Sequence, residues 1–454
     1  MMKLRAYLDR FQGKKILVLG LGVSNRPLVR LLLEAGLDVT ACDRTQRDRL
    51  DEEILDLERQ GAKLRLGEDY LKQLSADVVF RTPGMLPTMP EIQALLRQGA
   101  EVTSEMEVFF EVCPCTILAV TGSDGKTTTT TLISEMLKAA GRRVFLGGNI
   151  GTPLLPRSDE MTESDIAVVE LSSFQLMDMR RSPHIAVITN LAPNHLDHHT
   201  DMAEYVTAKK QIFLHQGEGD VLVLNHDNAV TDGLRPEARG AVRLFSRREA
   251  LKSGVCLRDG VIYRDGAPLL RQAEIKIPGI HNVENYMAAI AAVEGLVPDG
   301  CIREVARNFG GVEHRIELVR VKDGVSFYND SIASSPSRTI AGLRSFAEKV
   351  ILIAGGYDKQ IPYDVLGPEI CAHVKTLVLT GATAPKIRAA VEAASGADRP
   401  EILEEDDFER AIRTAAARAK PGDTVLLSPA SASFDHFKNF MVRGDTFKRI
   451  VMKL

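Results

Sequence analysis

Lys126 and Thr127 are the residues whose types and setting speak first of chemistry. They close the loop of the stretch AVTGSDGKTTTTT (119–131), in which apolar residues 117–120 run into a small-residue turn and then into a helix-compatible segment carrying Leu132, Ile133, Met136 and Leu137. A strand, a tight turn and a helix aim backbone N–H groups and the positive end of a helix dipole at an anion. Lys126 can then reach terminal phosphates and the Thr127 hydroxyl can ligate Mg²⁺. The standard loop has a glycine where this chain has Val120, so only Gly122 and Gly125 frame the turn. A bare Gly-Lys-Thr recurs by chance in ordinary loops; the flanking strand and helix set this one apart.

Other reactive side chains follow at strand ends. The strand pattern DIAVVELSSFQL carries Glu170 at its C-terminal end, where open parallel sheets place ligands. In RRVFLGGNIGTP, Gly147, Gly148 and Gly151 surround Asn149, which reads either as a plain glycine turn or as room for close backbone approach. The run PHIAVITNLAPNHLDHH ends in Asn190 and then His195, Asp197, His198 and His199. Imidazoles suit zinc or iron, yet with Lys126, Thr127 and Glu170 near in the predicted sheet order, an oxygen-rich Mg²⁺ site fits better, with His195 as the functional imidazole. Lys209 and Lys210 fall on the helix pattern EYVTAKKQIFLHQ, where lysines ordinarily face solvent. HNVEN (281–285) opens an Ala-rich helix whose polar start suits a base or ribose. Arg315, Asp330, Lys359 and Ser433 lie at strand ends or turns in the last third; singly, such charges are mostly solvated.

The elements that must position these groups are α/β in pattern. A chain of 454 residues exceeds one compact core and predicts two or three domains. KILVLG (15–20) is a buried strand followed by GLGVSNR, with Gly20 and Gly22 as the first two glycines of GxGxxG and Asn25 at the third place. Asp43 stands where a ribose-binding acid is expected, which supports NAD and other nucleotides equally. DVVFR (77–81) runs into the turn Thr82-Pro83-Gly84, residues 100–103 form a further strand, and 104–114 bridge to the phosphate loop. Four parallel-type strands follow, then a peripheral sheet over 220–278 with DVLVLN, CLRDGVIYR and AEIKIPG. From Gly311 the pattern restarts in GVEHRIELV, GVSFYNDSIASSP, VILIAGGYDK, TLVLTG and DTVLLSPASASFD.

Composition bounds the partners. Charged residues are 26% and hydrophobic residues 44%, with a net charge of -4, so nothing pulls the chain toward nucleic acid. Apolar runs stay below membrane-spanning length and MMKLRAYLDRF lacks a signal-peptide core, so a cytoplasmic protein without membrane partners is expected. Six cysteines are too sparse for a disulfide framework, and Cys113-Pro114-Cys115 lacks a second ligand pair for structural zinc.

Together the motifs TGSDGKTT, GGNIG, ELSSFQL, NHLDHH with YVTAKK, HNVEN, EHRIE, NDS, GGYDK and LSPASASFDHFKNFMVRGDTF resemble the Mur ligase family, in the family's order and over nearly the whole chain. The family's shorter TGxxGKT loop also accounts for Val120. The resemblance implies three domains: a Rossmann-like N-terminal UDP-substrate domain (1–103), a central P-loop ATPase-like domain with a parallel sheet (104–313), and a Rossmann-like C-terminal amino-acid domain (314–454). Ser24, Asp43 and Thr82-Pro83-Gly84 would contact the UDP substrate, with Asn149 and Ser172 also on the substrate side. Gly122, Ser123, Asp124, Gly125, Lys126, Thr127, Thr128, Asn282, Asn285, Arg315 and Asp330 would hold ATP. Thr127, Glu170, His195 and Lys209 would ligate Mg²⁺, with Lys126, His195 and Lys209 catalytic. Lys209 matches the family's carbamylated lysine, Lys210 being the adjacent alternative, and CO₂ addition would turn a cation that repels Mg²⁺ into a carboxylate-like ligand.

The implied reaction is ATP-dependent amide formation through an acyl phosphate, joining D-glutamate to UDP-N-acetylmuramoyl-L-alanine in peptidoglycan precursor synthesis, by a monomer. Lys359, Ser433, Phe434 and Phe440 match positions that cradle D-glutamate, and domain closure would bring them onto the central site. One departure stands out: Ile332 occupies the place of a lysine in the better-known D-glutamate-adding members, removing an ammonium contact. Competing readings are a related ligase adding diaminopimelate, lysine or folate-linked glutamate, a nicotinamide-dependent dehydrogenase, and a nucleotide-driven switch.

Overall fold

The computed structural model describes residues 4–192, 201–359, 361–394 and 398–454. It divides into two compact units, Met1–Gln272 with Glu284–Val305, and Ala273–Val283 with Ala306–Leu454.

The first unit holds two sheets. Strands Lys63–Leu66, Asp38–Asp43, Lys15–Leu19, Val78–Arg81 and Glu101–Thr103 lie side by side in that order, all parallel. The order reverses between Lys15–Leu19 and Val78–Arg81, so the glycine loop and the Thr82-Pro83-Gly84 turn emerge together at the C-terminal edge. Asn25, where a third glycine was looked for, is buried and donates its amide to the carbonyls of Leu19 (3.3 Å) and Gly20 (2.8 Å), closing the loop on itself.

The second sheet has nine strands, in the order Ala267–Arg271, Val261–Arg264, Val255–Arg258, Ala241–Ser246, Val221–Asn225, Ile185–Ile188, Thr116–Thr121, Ile166–Glu170, Val144–Gly148. Those from Val255–Arg258 to Val144–Gly148 are parallel, and an antiparallel hairpin ends the other edge. Of the four strands foreseen before residue 190, Thr116–Thr121, Ile166–Glu170 and Ile185–Ile188 are short apolar runs buried along nearly their whole length, as strands covered on both faces are. AEIKIPG, expected as a strand, is not one: Gln272–Glu274 form a 3₁₀ turn and the chain continues irregularly to the helix Ile280–Ala292, since Pro278 and Gly279 break any ladder there.

Residues 104–114 are more than a bridge. Helix Glu105–Val112, capped by Ser104, buries six of its eight residues, and one apolar cluster runs from Leu4 through Phe109 to Leu154 and Leu234. All six cysteines are free thiols.

In the second unit, strands Glu317–Lys322, Val325–Asn329, Thr424–Leu427, Val350–Ala354, Val374–Leu379 and Glu401–Glu404 form one sheet, parallel except for the first pair. The edge strand Glu401–Glu404 had no counterpart in the sequence reading; its glutamates mask the apolar alternation. Among the described residues no helix is long and apolar enough to cross a membrane.

Glu105 lies inside the first unit, its Oε1 accepting the Leu155 amide at 2.9 Å. Burial pushes its carboxyl from 4.5 to about 7, against the lowering pull of that amide. The native chain therefore keeps a proton that the unfolded chain has lost between those values, and stability falls as pH rises through that window, by about 3 kcal/mol. Glu105→Gln keeps the acceptor and removes the ionisation. Its thermal midpoint should gain on that of the unaltered protein as pH goes from 5 to 7.5; parallel profiles would refute the assignment.

Candidate active site

Strand Thr116–Thr121 sits between Ile185–Ile188 and Ile166–Glu170, where the strand order reverses, and its C-terminal end delivers the glycine loop 122–125. Gly125 caps helix Lys126–Ala139 from the left-handed region (φ +77°). A Cβ on Gly125 would lie 2.2 Å from Asn285 Oδ1, and one on Gly122 (φ +149°) 1.9 Å from Thr189 Oγ1. Both glycines thus answer close approach as well as backbone conformation.

The loop is tied down from outside. Thr189 Oγ1 donates to the Asp124 carbonyl (2.6 Å), Asn190 Oδ1 accepts the Asp124 amide (3.0 Å), and Asn190 Nδ2 donates to the Asp124 carbonyl (3.2 Å). Ser123 is buried, its hydroxyl 3.1 Å from Tyr205 and accepting the Ala192 amide at 2.9 Å. Lys126 Nζ folds back onto the carbonyls of Gly122 (3.0 Å) and Ser123 (2.9 Å). Thr127 is half-buried at the helix start and Thr128 is buried beside it. Asn285 Oδ1 accepts from Thr129 Oγ1 at 3.3 Å.

Glu170 ends the neighbouring strand with 1% of its surface exposed. Its Oε1 accepts from Asn149 Nδ2 at 2.7 Å, and its Oε2 is buried without a hydrogen-bond partner. A buried carboxylate oxygen left bare is costly. It is a hard oxygen donor of the kind that Mg²⁺ takes. Ser172, two residues on, caps helix Ser173–Leu176 in a reciprocal pair with Gln175.

Lys209 departs from the ordinary solvent-facing helix lysine. It is 2% exposed, its Nζ donates to Thr121 Oγ1 at 3.2 Å, and it lies 4.8 Å from the Tyr205 ring centroid. Burial, then the charge of Lys126, hold its pKa well below the lysine range, with Glu170 and Asp124 pulling weakly the other way. The alternative, Lys210, is engaged by Glu237 on the outer side of the helix. His195, with Asp197, His198 and His199, lies outside the described residues.

On the N-terminal sheet, Asp43 Oδ2 accepts the Leu21 amide (2.7 Å) and Oδ1 the Thr45 amide (2.8 Å). Burial opposes its ionisation, but those amides prevail and lower its pKa. Ser24 stands half-buried before helix Asn25–Glu34 with no capping hydrogen bond from its side chain, while Thr82-Pro83-Gly84 turns through a Met85 amide to Thr82 carbonyl bond of 3.0 Å.

The second unit gathers the remaining residues. Asp330 is buried, accepting from Ser428 Oγ (2.7 Å) and the Ile316 amide (3.3 Å); burial raises its pKa to about 7 despite these bonds and Arg315. Arg315 has a buried Nε without a partner. Ile332 accepts at its carbonyl from Arg338 Nη1 (3.3 Å). Asn282 donates to the Pro278 carbonyl at 2.5 Å. Ser433 is buried, while Lys359 and Phe434 are exposed; Phe434 packs edge-on against Tyr357, whose amide bonds the Ala432 carbonyl. Phe440 opens helix Phe440–Val451, its carbonyl accepting from Ser331 Oγ at 2.8 Å.

Sequence reasoning passed over Thr189 and Tyr205, and it gave Asn190 no role. The signal for Asn190 was its place just past an apolar strand. It also passed over Arg443, buried and donating to Ser331 and to the carbonyls of Ser431 and Ala432.

Comparison with known proteins agrees along the whole chain. Residues 14–104 match the Mur ligase MurD-like N-terminal domain, 120–293 the Mur ligase middle domain, and 314–431 the Mur ligase glutamate ligase domain. A UDP-N-acetylmuramoylalanine–D-glutamate ligase of Acetivibrio thermocellus is 53% identical over 99% of this chain and 98% of its own length. One of Ruminiclostridium cellulolyticum is 48% identical over 100% and 99%. In fold, the chain is similar to a UDP-N-acetylmuramate-alanine ligase of Thermotoga maritima (TM-score 0.60, 18% identity, 97% of this chain and 99% of that one). It is also similar to a MurF ligase of Thermotoga maritima in complex with ADP (TM-score 0.55, 19% identity, 92% and 95%).

The packing of Gly125 against Asn285 is testable. Gly125→Ala combines a strained φ with a displaced amide, and should weaken ADP binding, measured by calorimetry, by about tenfold or more. Undiminished affinity would show that the loop does not hold the nucleotide.

Proposed function

We infer the reaction from one premise: the chain belongs to the Mur ligase family. It is an ATP-dependent, ADP-forming ligase that joins D-glutamate to UDP-N-acetylmuramoyl-L-alanine in the cytoplasm, within domains 1–103, 104–313 and 314–454. The observation that carries this reading is the meeting of Lys126, a bare Glu170 oxygen and a buried Lys209 at one end of the central sheet, in a chain more than half identical to a ligase of that name.

In the first step an oxygen of the substrate carboxylate forms a bond to the γ-phosphorus while the bond to the β-phosphate oxygen breaks and ADP leaves. In the second, the neutral amine of D-glutamate attacks the acyl carbon, the C–O bond to phosphate breaks, and the amine sheds a proton as the amide forms. The loop amides and Lys126 hold the phosphates. Asn282, Asn285, Arg315 and Asp330 take the rest of the nucleotide. Two Mg²⁺, held by Thr127, Glu170, His195 and Lys209, would neutralise the triphosphate and the carboxylate. Lys209 suits that task only after modification: its depressed pKa supplies a free amine, whose lone pair bonds CO₂ with loss of one proton and leaves a carbamate anion. Ser24, Asp43 and Thr82-Pro83-Gly84 bind the uridine nucleotide, Asn149 and Ser172 face the acceptor, and Lys359, Ser433, Phe434 and Phe440 receive D-glutamate.

Phosphate release from ATP with UDP-N-acetylmuramoyl-L-alanine should depend on D-glutamate and prefer it about 100-fold or more over L-glutamate, lysine and diaminopimelate; release without selectivity would contradict the assignment. Lys126→Ala should abolish turnover. Lys209→Ala should lower it about 100-fold, with partial recovery in a short carboxylic acid; full activity without one would rule out the carbamate.

A further inference from the structure

Arg81 ends a strand whose last side chain would ordinarily be apolar, yet it is 1% exposed and fully engaged. A guanidinium has five N–H donors, and five contacts answer them. Nη1 donates to the carbonyls of Thr82 (3.5 Å) and Met85 (2.9 Å), the residues at the start of the Thr82-Pro83-Gly84 turn and just past its end. On its other side Nε donates to Asp178 Oδ2 (2.7 Å), and Nη2 donates to Asp178 Oδ1 and to the Phe174 carbonyl (3.4 Å). Phe174 belongs to the short helix that Ser172 caps, and Asp178 follows it.

We propose that Arg81 is a positioning residue that fixes the nucleotide-sugar loop against the segment following Glu170, so that the acceptor's uridine end and its reacting carboxylate are held in register by one side chain. The proposal rests on the reading of Thr82-Pro83-Gly84 as the nucleotide-sugar loop. Arginine is required because only a planar fork can span two carbonyls on one side and a carboxylate on the other; a lysine ammonium reaches one cluster at a time. Asp178, partly exposed, can rehydrate when its partner is lost, so the loss falls on loop placement more than on an orphaned charge.

The test is steady-state phosphate release by the full chain, titrating each substrate separately in Arg81→Lys, Arg81→Met and Asp178→Asn. Arg81→Met should raise KM for the UDP-sugar acceptor about tenfold and lower kcat about threefold or more, as the reacting carboxylate loses its register. KM for ATP should stay at the starting value, and Arg81→Lys should fall between. Asp178→Asn, which keeps the guanidinium on its carbonyls, should show the same selective rise in smaller measure and serves if Arg81→Met does not fold. Variants that lose thermal stability yet keep the acceptor KM, or that raise the three KM values alike, would reduce Arg81 to a strut and overturn the proposal. An unaltered protein whose phosphate release ignores the UDP-sugar would overturn the reading beneath it as well, a result visible before any variant is made.

Discussion

A lysine ammonium cannot rest comfortably where Lys209 is. It is enclosed by its own helix, the Tyr205 ring and the Thr121 hydroxyl, with the second cation Lys126 close enough to depress its pKa and the Glu170 carboxylate as weak compensation. Burial of an unpaired charge is among the most expensive things a fold can do. The arrangement becomes reasonable if the nitrogen is uncharged and reactive, and if the site around it exists to hold divalent cations and phosphates, whose charges complete it.

The rest of the first unit reads as support for that point. Parallel strands bring Thr121, Glu170 and Thr189 to one edge in adjacent registers. The glycines let the loop press against Thr189 and Asn285, and Asn190 holds Asp124 at both its N–H and its C=O, so two successive peptide groups are fixed. Backbone amides can serve a developing charge only if they do not need to reorganise for it, and these restraints hold the loop in one place. The same economy governs the N-terminal sheet, where Asn25 closes the loop and Arg81 holds the following turn.

Much of this was legible in the sequence, because apolar strands, glycine turns and strand-end polar residues are local patterns. Glu170, Asn149 and the loop around Lys126 announced themselves that way. What escaped was set by tertiary packing. Lys209 looks like any helix lysine until the helix is laid against the sheet; Arg443 goes unremarked within the closing motif, although the fold buries it; Glu105 sits in what looked like a connector. The false strand AEIKIPG shows the converse, since its alternation of apolar and polar residues satisfies the strand pattern while Pro278 and Gly279 deny it a partner. The edge strand Glu401–Glu404 was hidden by its own charge.

Carbon-13 NMR of the protein equilibrated with labelled bicarbonate addresses the buried lysine directly. The account predicts one carbamate carbon resonance in the unaltered chain, lost in Lys209→Met and kept in Lys210→Met. An active protein with no such resonance, or a resonance that survives in Lys209→Met, would contradict it.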